Sequence, residues 1–166
     1  MIEFVYHLSS FAPLVIFIAS ALDIFFATGL ILYGAAMMGS VAMMYANHMI
    51  SLEAIIISAF SGTLLGNTLN FLVGQYFSEK EFVKRKLSHP RVASARNLLE
   101  SRGLFLFMLV SRFITFTRPL YAILLGSLGI KYYRFIIYEL FIALFWVVFW
   151  LMIIVKGIDI YAWIFN

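Results

Sequence analysis

The chain has 166 residues, 64% of them apolar and 12% charged, with a formal net charge of +4 and a mean hydropathy of +1.00. Soluble domains carry about 25% charged residues, so a soluble globular fold is excluded, and the length suits a single domain. Cysteine is absent, which rules out disulfides and thiolate metal sites.

A helix crosses a bilayer with roughly 20 apolar residues, and its backbone must close its own hydrogen bonds there. Residues 11–46 form an apolar segment too long for one such crossing and short for two. Its only charge is Asp23, and Thr28-Gly29 interrupts it again, while Gly34, Gly39 and Ser40 allow close packing. A broken or re-entrant pair is the reading. The stretch before it, with Glu3 and no basic region, is not expected to be a cleaved signal peptide.

Residues 52–77 read as one uninterrupted transmembrane helix, with Glu53 at its interfacial end. Gly62, Gly66, Asn70 and Gly74 follow one another at four-residue spacing. They form a stripe on one face, including a GxxxG, suited to close helix packing. Asn67 and Asn70, polar at membrane depth, are expected to face protein or water.

Residues 79–102 hold seven of the twelve basic residues, with amphipathic helical composition after Pro90. Short loops rich in Lys and Arg stay cytoplasmic, so this segment is expected inside. Contact with anionic lipids, worth about 1 kcal/mol per basic residue near the surface, and a purely topological role both remain open.

Lys131 and Arg134 should then lie inside as well, so the apolar segment 104–130 begins and ends on one face. Two crossings need roughly 40 residues, and this segment has 27. A re-entrant hairpin is the expected solution, with Arg112, Thr117, Arg118 and Pro119 in its middle. The residue before proline avoids the helical region, so a turn belongs there, able to bring both guanidiniums into one cavity. Ionisable residues inside a membrane are costly and mark function by default. Arginine stays charged and grips phosphate with a bidentate fork, which makes Arg112 and Arg118 candidates for a lipid phosphate. One of them pairing with Asp23, locking the two halves together, stands as an equal reading.

Residues 135–156 form the last transmembrane helix. Glu139, one turn in, is expected to pair with Arg134 or Lys131; Trp146, Trp150, Tyr161 and Trp163 read as interface anchors or packing. His7, His48 and His89 make neither a zinc spacing nor a triad, and no nucleotide-binding or hydrolase motif is present. The expectation is an all-α integral membrane protein: transmembrane helices plus two facing re-entrant helical hairpins, an inverted-repeat, transporter-like plan. No enzyme activity, metal, cofactor or nucleic-acid partner is expected. The partners are membrane lipids, anionic or phosphate-bearing, with homo-oligomerisation left open.

Residues 65–157 resemble the DedA family, also called the SNARE-associated or VTT-domain family. Its glycine-rich helix, G-D-x-x-x-Y/F-x-x-G, is matched by Gly66-Asn67-Thr68-Leu69-Asn70-Phe71-Leu72-Val73-Gly74. A basic segment ending in glycine follows, here Arg96 to Gly103. The family's F-x-x-R-F-x-P/T-x-x-R-x-x-x-P-x-x-A-G corresponds to Phe107 through Arg112, Phe113 and Arg118 to Gly126. Ile130 to Phe135 and Ile142 to Trp146 echo its closing motifs. The resemblance implies two facing re-entrant hairpins and movement of lipids, undecaprenyl phosphate or phospholipids, across a bacterial inner membrane, with Arg112 and Arg118 as the phosphate-binding pair. Asp23 fits the first acidic position of the family, as a proton relay or ion-pair partner. Leu32 stands where the second carboxylate is usual, and Asn67 where an aspartate is usual, which weakens the implied proton coupling. A proton-linked small-ion or drug transporter and a non-transporting scaffold are the alternatives.

Overall fold

The computed structural model describes residues 2–29, 34–81, 84–85, 96–97, 99–114 and 117–165. Among these, all regular structure is helical. Helix α1 runs over Ile2–Ile24 with Pro13 inside it, a residue that membrane helices tolerate. It stops at a bend at Phe25 and is followed by the single turn α2, Phe26–Gly29. The first segment is thus interrupted at Phe25, two residues after Asp23. The position of Leu32 lies outside the described residues. Helix α3 spans Gly34–Ala46 and ends where His48 adopts a left-handed conformation, φ 55°, the usual backbone at a helix C-terminus.

Helix α4, Leu52–Ser78, starts at Ser51, whose side chain accepts a hydrogen bond from the Ala54 amide; Glu53 in the first turn complements the helix dipole. As a helix it coincides within a residue with the apolar run 52–77. Most of the basic segment 79–102 lies outside the described residues; its end forms a π-helical turn, Leu99–Gly103. The segment 104–130 is broken as expected into α5, Leu104–Phe113, and α6, Tyr121–Ser127, with turn conformation over 117–120. Helix α7 covers Tyr132–Phe165, 34 residues. At 1.5 Å per residue it rises about 51 Å, well beyond the roughly 30 Å hydrocarbon core and longer than the expected 135–156.

α4 is the central mast. Without a hydrophobic drive between helices in lipid, small residues that let backbones approach do the packing. A Cβ at Gly62 would overlap the Phe17 carbonyl of α1, and one at Gly66 the Ala21 carbonyl. Lower down, Gly74 lies against the Ile123 carbonyl of α6, and Gly126 of α6 against the Phe71 carbonyl of α4. The stripe therefore packs as its spacing predicts, but on two partners: α1 above Asn70 and α6 below it.

The ends of each broken segment come together. Ala12 and Ile16 share one buried cluster with Val41, Ile50, Ile55, Val147 and Leu151. At the second segment, Arg96 donates to the Gly129 carbonyl at 2.9 Å and Arg134 to the Glu100 carbonyl at 3.4 Å. Outward, large apolar side chains such as Ile57, Leu106, Phe141 and Met152 are more than 60% exposed. An exposed apolar belt of this kind seeks a nonpolar surrounding. Leu52–Ser78 and Tyr132–Ile158 each have the length and hydropathy to cross a bilayer.

Candidate functional site

Three polar constellations lie inside the bundle, and α4 supplies a residue to each of them. The first is a knot at Asn70, fully buried. Its amide donates to the Ile24 carbonyl at 2.8 Å and the Pro119 carbonyl at 3.1 Å, and its oxygen accepts from the Phe26 amide at 3.0 Å. A helix break frees backbone groups that must find partners where water is scarce. One asparagine serves the breaks of both segments. Thr117 does similar work beside it: its hydroxyl donates to the Ser111 carbonyl at 2.8 Å and the Ile114 carbonyl at 3.1 Å, closing the end of α5. Pro119 is buried at the turn.

The second is a brace at Arg112. This side chain sits on the buried face of α5 with Leu104, Met108 and Ser111, and the turn does not carry it into a shared cavity with Arg118. Its Nη1 donates to Glu139 Oε1 at 2.6 Å and to the Tyr121 hydroxyl at 3.1 Å. Tyr121 donates to Glu139 Oε2 at 2.6 Å, and Asn67 Nδ2 donates to Oε1 at 2.7 Å. Both ionised side chains are 0% exposed. The expected pairing of Glu139 with Arg134 or Lys131 is therefore corrected. Arg134 instead contacts the Tyr133 hydroxyl and the Glu100 carbonyl. Five residues along a helix rotate by about 140°, so Arg134 and Glu139 point apart. The brace joins α4, α5, α6 and α7 through one carboxylate. Asn67, expected to face protein or water, is buried in protein.

The third is a cavity of ≈ 600 Å³, counted out to its open mouth, between α1, α3, α4 and α7. Its walls are apolar except where Asp23, Ser20, Thr63 and Arg118 enter. Arg118 reaches it from the turn after α5 and forms an ion pair with Asp23, the two side chains being 16% and 14% exposed. The ion pair expected of Asp23 with one arginine is thus formed, and it links the two broken segments. Arg118 also lies 5.9 Å from the centre of the Trp146 ring, within cation–π range.

Trp146 and Trp150 are wall residues of this cavity and pack edge to face at 5.6 Å, in keeping with the packing alternative of the sequence reading. Ser20 and Thr63 were not singled out by the sequence. The signal available was helical phase: Ile16, Ser20 and Asp23 fall on one face of α1, three and four residues apart. Gly62, Gly66 and Gly74 carry packing and take no part in the cavity. Among the described residues, no group of three His, Cys, Asp or Glu is placed to hold a metal ion.

An apolar helical bundle with an outward-facing hydrophobic belt and charged groups held within defines an integral membrane protein. The VTT domain family model matches residues 12–156, and the chain belongs to this family, the DedA/SNARE-associated domain. The match reaches back beyond the resembling residues 65–157 to take in α1 and Asp23. Comparison with curated proteins and with solved structures gives no match in either. Family membership supports a membrane-associated role in transport or a related function.

Proposed function

We propose that this protein moves a phosphate-bearing lipid across a bacterial inner membrane, its headgroup entering the cavity at Arg118. The observation that carries this reading is the Asp23–Arg118 pair, set in a largely apolar cavity that opens at the surface. A guanidinium there offers a fork of donors to a phosphate, and the apolar walls suit the acyl or prenyl chain behind it. The reading narrows the expected arginine pair to one member: Arg118 receives the headgroup, and Arg112 holds the frame.

The contacts between the ends of each broken segment support two re-entrant hairpins. A hairpin that dips in and returns must bring its ends to one face, and the pairings of Arg96 with Gly129 and Arg134 with Glu100 satisfy that condition. With the basic segment 79–102 in the cytoplasm, α4 and α7 cross the membrane and the two breaks meet at Asn70. Asp23, the cavity's carboxylate, is already paired, which favours a site poised for an anion over a cage for a small cation.

Purified protein in liposomes tests this reading through the loss of a chain-labelled lipid from the inner leaflet. Transbilayer movement should be fast with the wild type and fall to the protein-free rate with Arg118→Gln. Equal rates with and without wild-type protein would reject transport and favour a scaffold role.

A further inference from the structure

The brace holds polar atoms that its own bonds do not satisfy. Arg112 and Asn67 are both fully buried. Only Nη1 of the Arg112 guanidinium finds partners, Glu139 and Tyr121. Its Nε and Nη2 are shielded from solvent and have no partner among the described residues. Asn67 is held in one orientation, because an ionised carboxylate only accepts and the amide must turn its NH2 towards Glu139 Oε1. Its carbonyl oxygen Oδ1 then points away, equally shielded and equally unpartnered among the described residues. These orphan atoms belong to one cluster, since Arg112 and Asn67 donate to the same oxygen of Glu139, at 2.6 and 2.7 Å. None of the brace residues lines the cavity of Asp23 and Arg118.

A buried donor left without a partner carries its full desolvation penalty, larger for a charged group, and native proteins satisfy such atoms with protein or with ordered water. Three conditions define what can satisfy these. Arg112 and Glu139 already cancel in charge, so a bound ion of either sign would stand uncompensated in the interior. The ligand must accept from a guanidinium and donate to an amide oxygen, which excludes a pure acceptor such as chloride and a pure donor such as an ammonium group. It must also be small, because Leu104, Met108 and Ser111 share the buried face of α5 with Arg112. Water meets all three conditions, and buried waters typically make about three hydrogen bonds to otherwise unpaired polar groups.

We infer that the brace is an internal hydration site, in which a bound water accepts from the free N–H groups of Arg112 and donates to Asn67 Oδ1. The water ties α4 to α5 directly, where Glu139 of α7 otherwise mediates. It also makes this junction a wet contact, whose members can exchange partners through water at little enthalpic cost, and not a dry lock. The inference is independent of the transport reading and holds whether or not lipid moves.

Pulsed radiolytic footprinting of the full-length protein in nanodiscs, read residue by residue by mass spectrometry, tests it. Hydroxyl radicals born from a bound water oxidise the side chains beside it even where bulk solvent does not reach. Tyr121, 2% exposed and bonded within the brace, should be oxidised several times faster than Phe71 and Phe135, both 0% exposed and in the same apolar cluster. Asn67→Leu removes the accepting oxygen and should bring Tyr121 down to the rate of the two phenylalanines. A wild-type Tyr121 as slow as Phe71 and Phe135 would overturn the hydration site, and so would an unchanged Tyr121 rate in a folded Asn67→Leu variant. The wild-type comparison decides the matter by itself if that variant fails to fold. Replacing chloride by gluconate at constant ionic strength should leave the wild-type denaturation midpoint unchanged. A midpoint that falls without chloride would assign the free donors to an anion and overturn the water assignment.

Discussion

The brace at Arg112 makes a prediction that separates a frame residue from a binding residue. Arg112→Met removes the guanidinium and leaves Glu139 buried at 0% exposure with only Tyr121 and Asn67 to face it. Breaking a buried pair in this way costs about 3–5 kcal/mol. Glu139→Leu leaves the opposite orphan, a guanidinium with no route to neutrality, whereas a stranded carboxyl can escape by taking up a proton. The Glu139 variant should therefore be the more destabilised of the two. Arg112→Met combined with Glu139→Leu removes both charges together. Replacing a whole buried pair by apolar residues of similar volume is often close to neutral; the lost partners of Tyr121 and Asn67 then cost about 1–3 kcal/mol each. The double variant should consequently fall well short of the summed penalties of the two single changes, with a coupling of about 2–3 kcal/mol. Denaturation in mixed micelles gives the stabilities, and liposome assays give transport for the same preparations. Lipid movement should return in the double variant along with stability. Two results would refute the reasoning: penalties that simply add, or a stable double variant that moves no lipid, which would return Arg112 to the ligand.

Other consequences can be checked with single changes. Gly74→Ala and Gly126→Ala each push a methyl group into a facing backbone carbonyl and should cost about 1–3 kcal/mol; Gly39→Ala and Gly157→Ala, which meet nothing within 4 Å, should be neutral in the same thermal-shift assay. Asn70→Leu, close in size, strands the Ile24 and Pro119 carbonyls and the Phe26 amide and should lower stability by about 3 kcal/mol or more, with a midpoint unchanged from wild type counting against the knot. Single cysteines at Ser101 and Lys131, exposed at the two ends of the segment, should be labelled by an impermeant reagent from the same face; labelling from opposite faces would reject the re-entrant reading of that segment.

Much of this arrangement was legible because a bilayer leaves few options. A run free of charge from Ala54 to Ser78 could only be a spanning helix, and its four-residue stripe of Gly and Asn could only be a packing face. The break before Pro119 followed from local sterics at one residue. Glu139 was misread because the nearest basic residues in the sequence, Arg134 and Lys131, were taken as neighbours in space. Helical phase gives the other answer: Phe135, Ile142 and Ala143 lie four, three and four residues from it, and all are buried. An ionisable side chain on that inner stripe has to find its counter-charge inside the bundle, and Arg112 is the deep cation on the inner face of α5. The separation of Arg112 from Arg118 was harder to see. Spacing shows that a turn lies between them, but the side of the bundle each one faces depends on the packing of α5 and α6, which no local pattern specifies.

Asn70 also sets a mechanical condition on any working cycle. Because one amide grips the breaks of both segments, they behave as a single pivot, and neither can shift alone without tearing bonds from the other. A stroke that opened the cavity to the opposite leaflet would be easier as a tilt of the outer arms about this pin than as a sliding apart of the two halves.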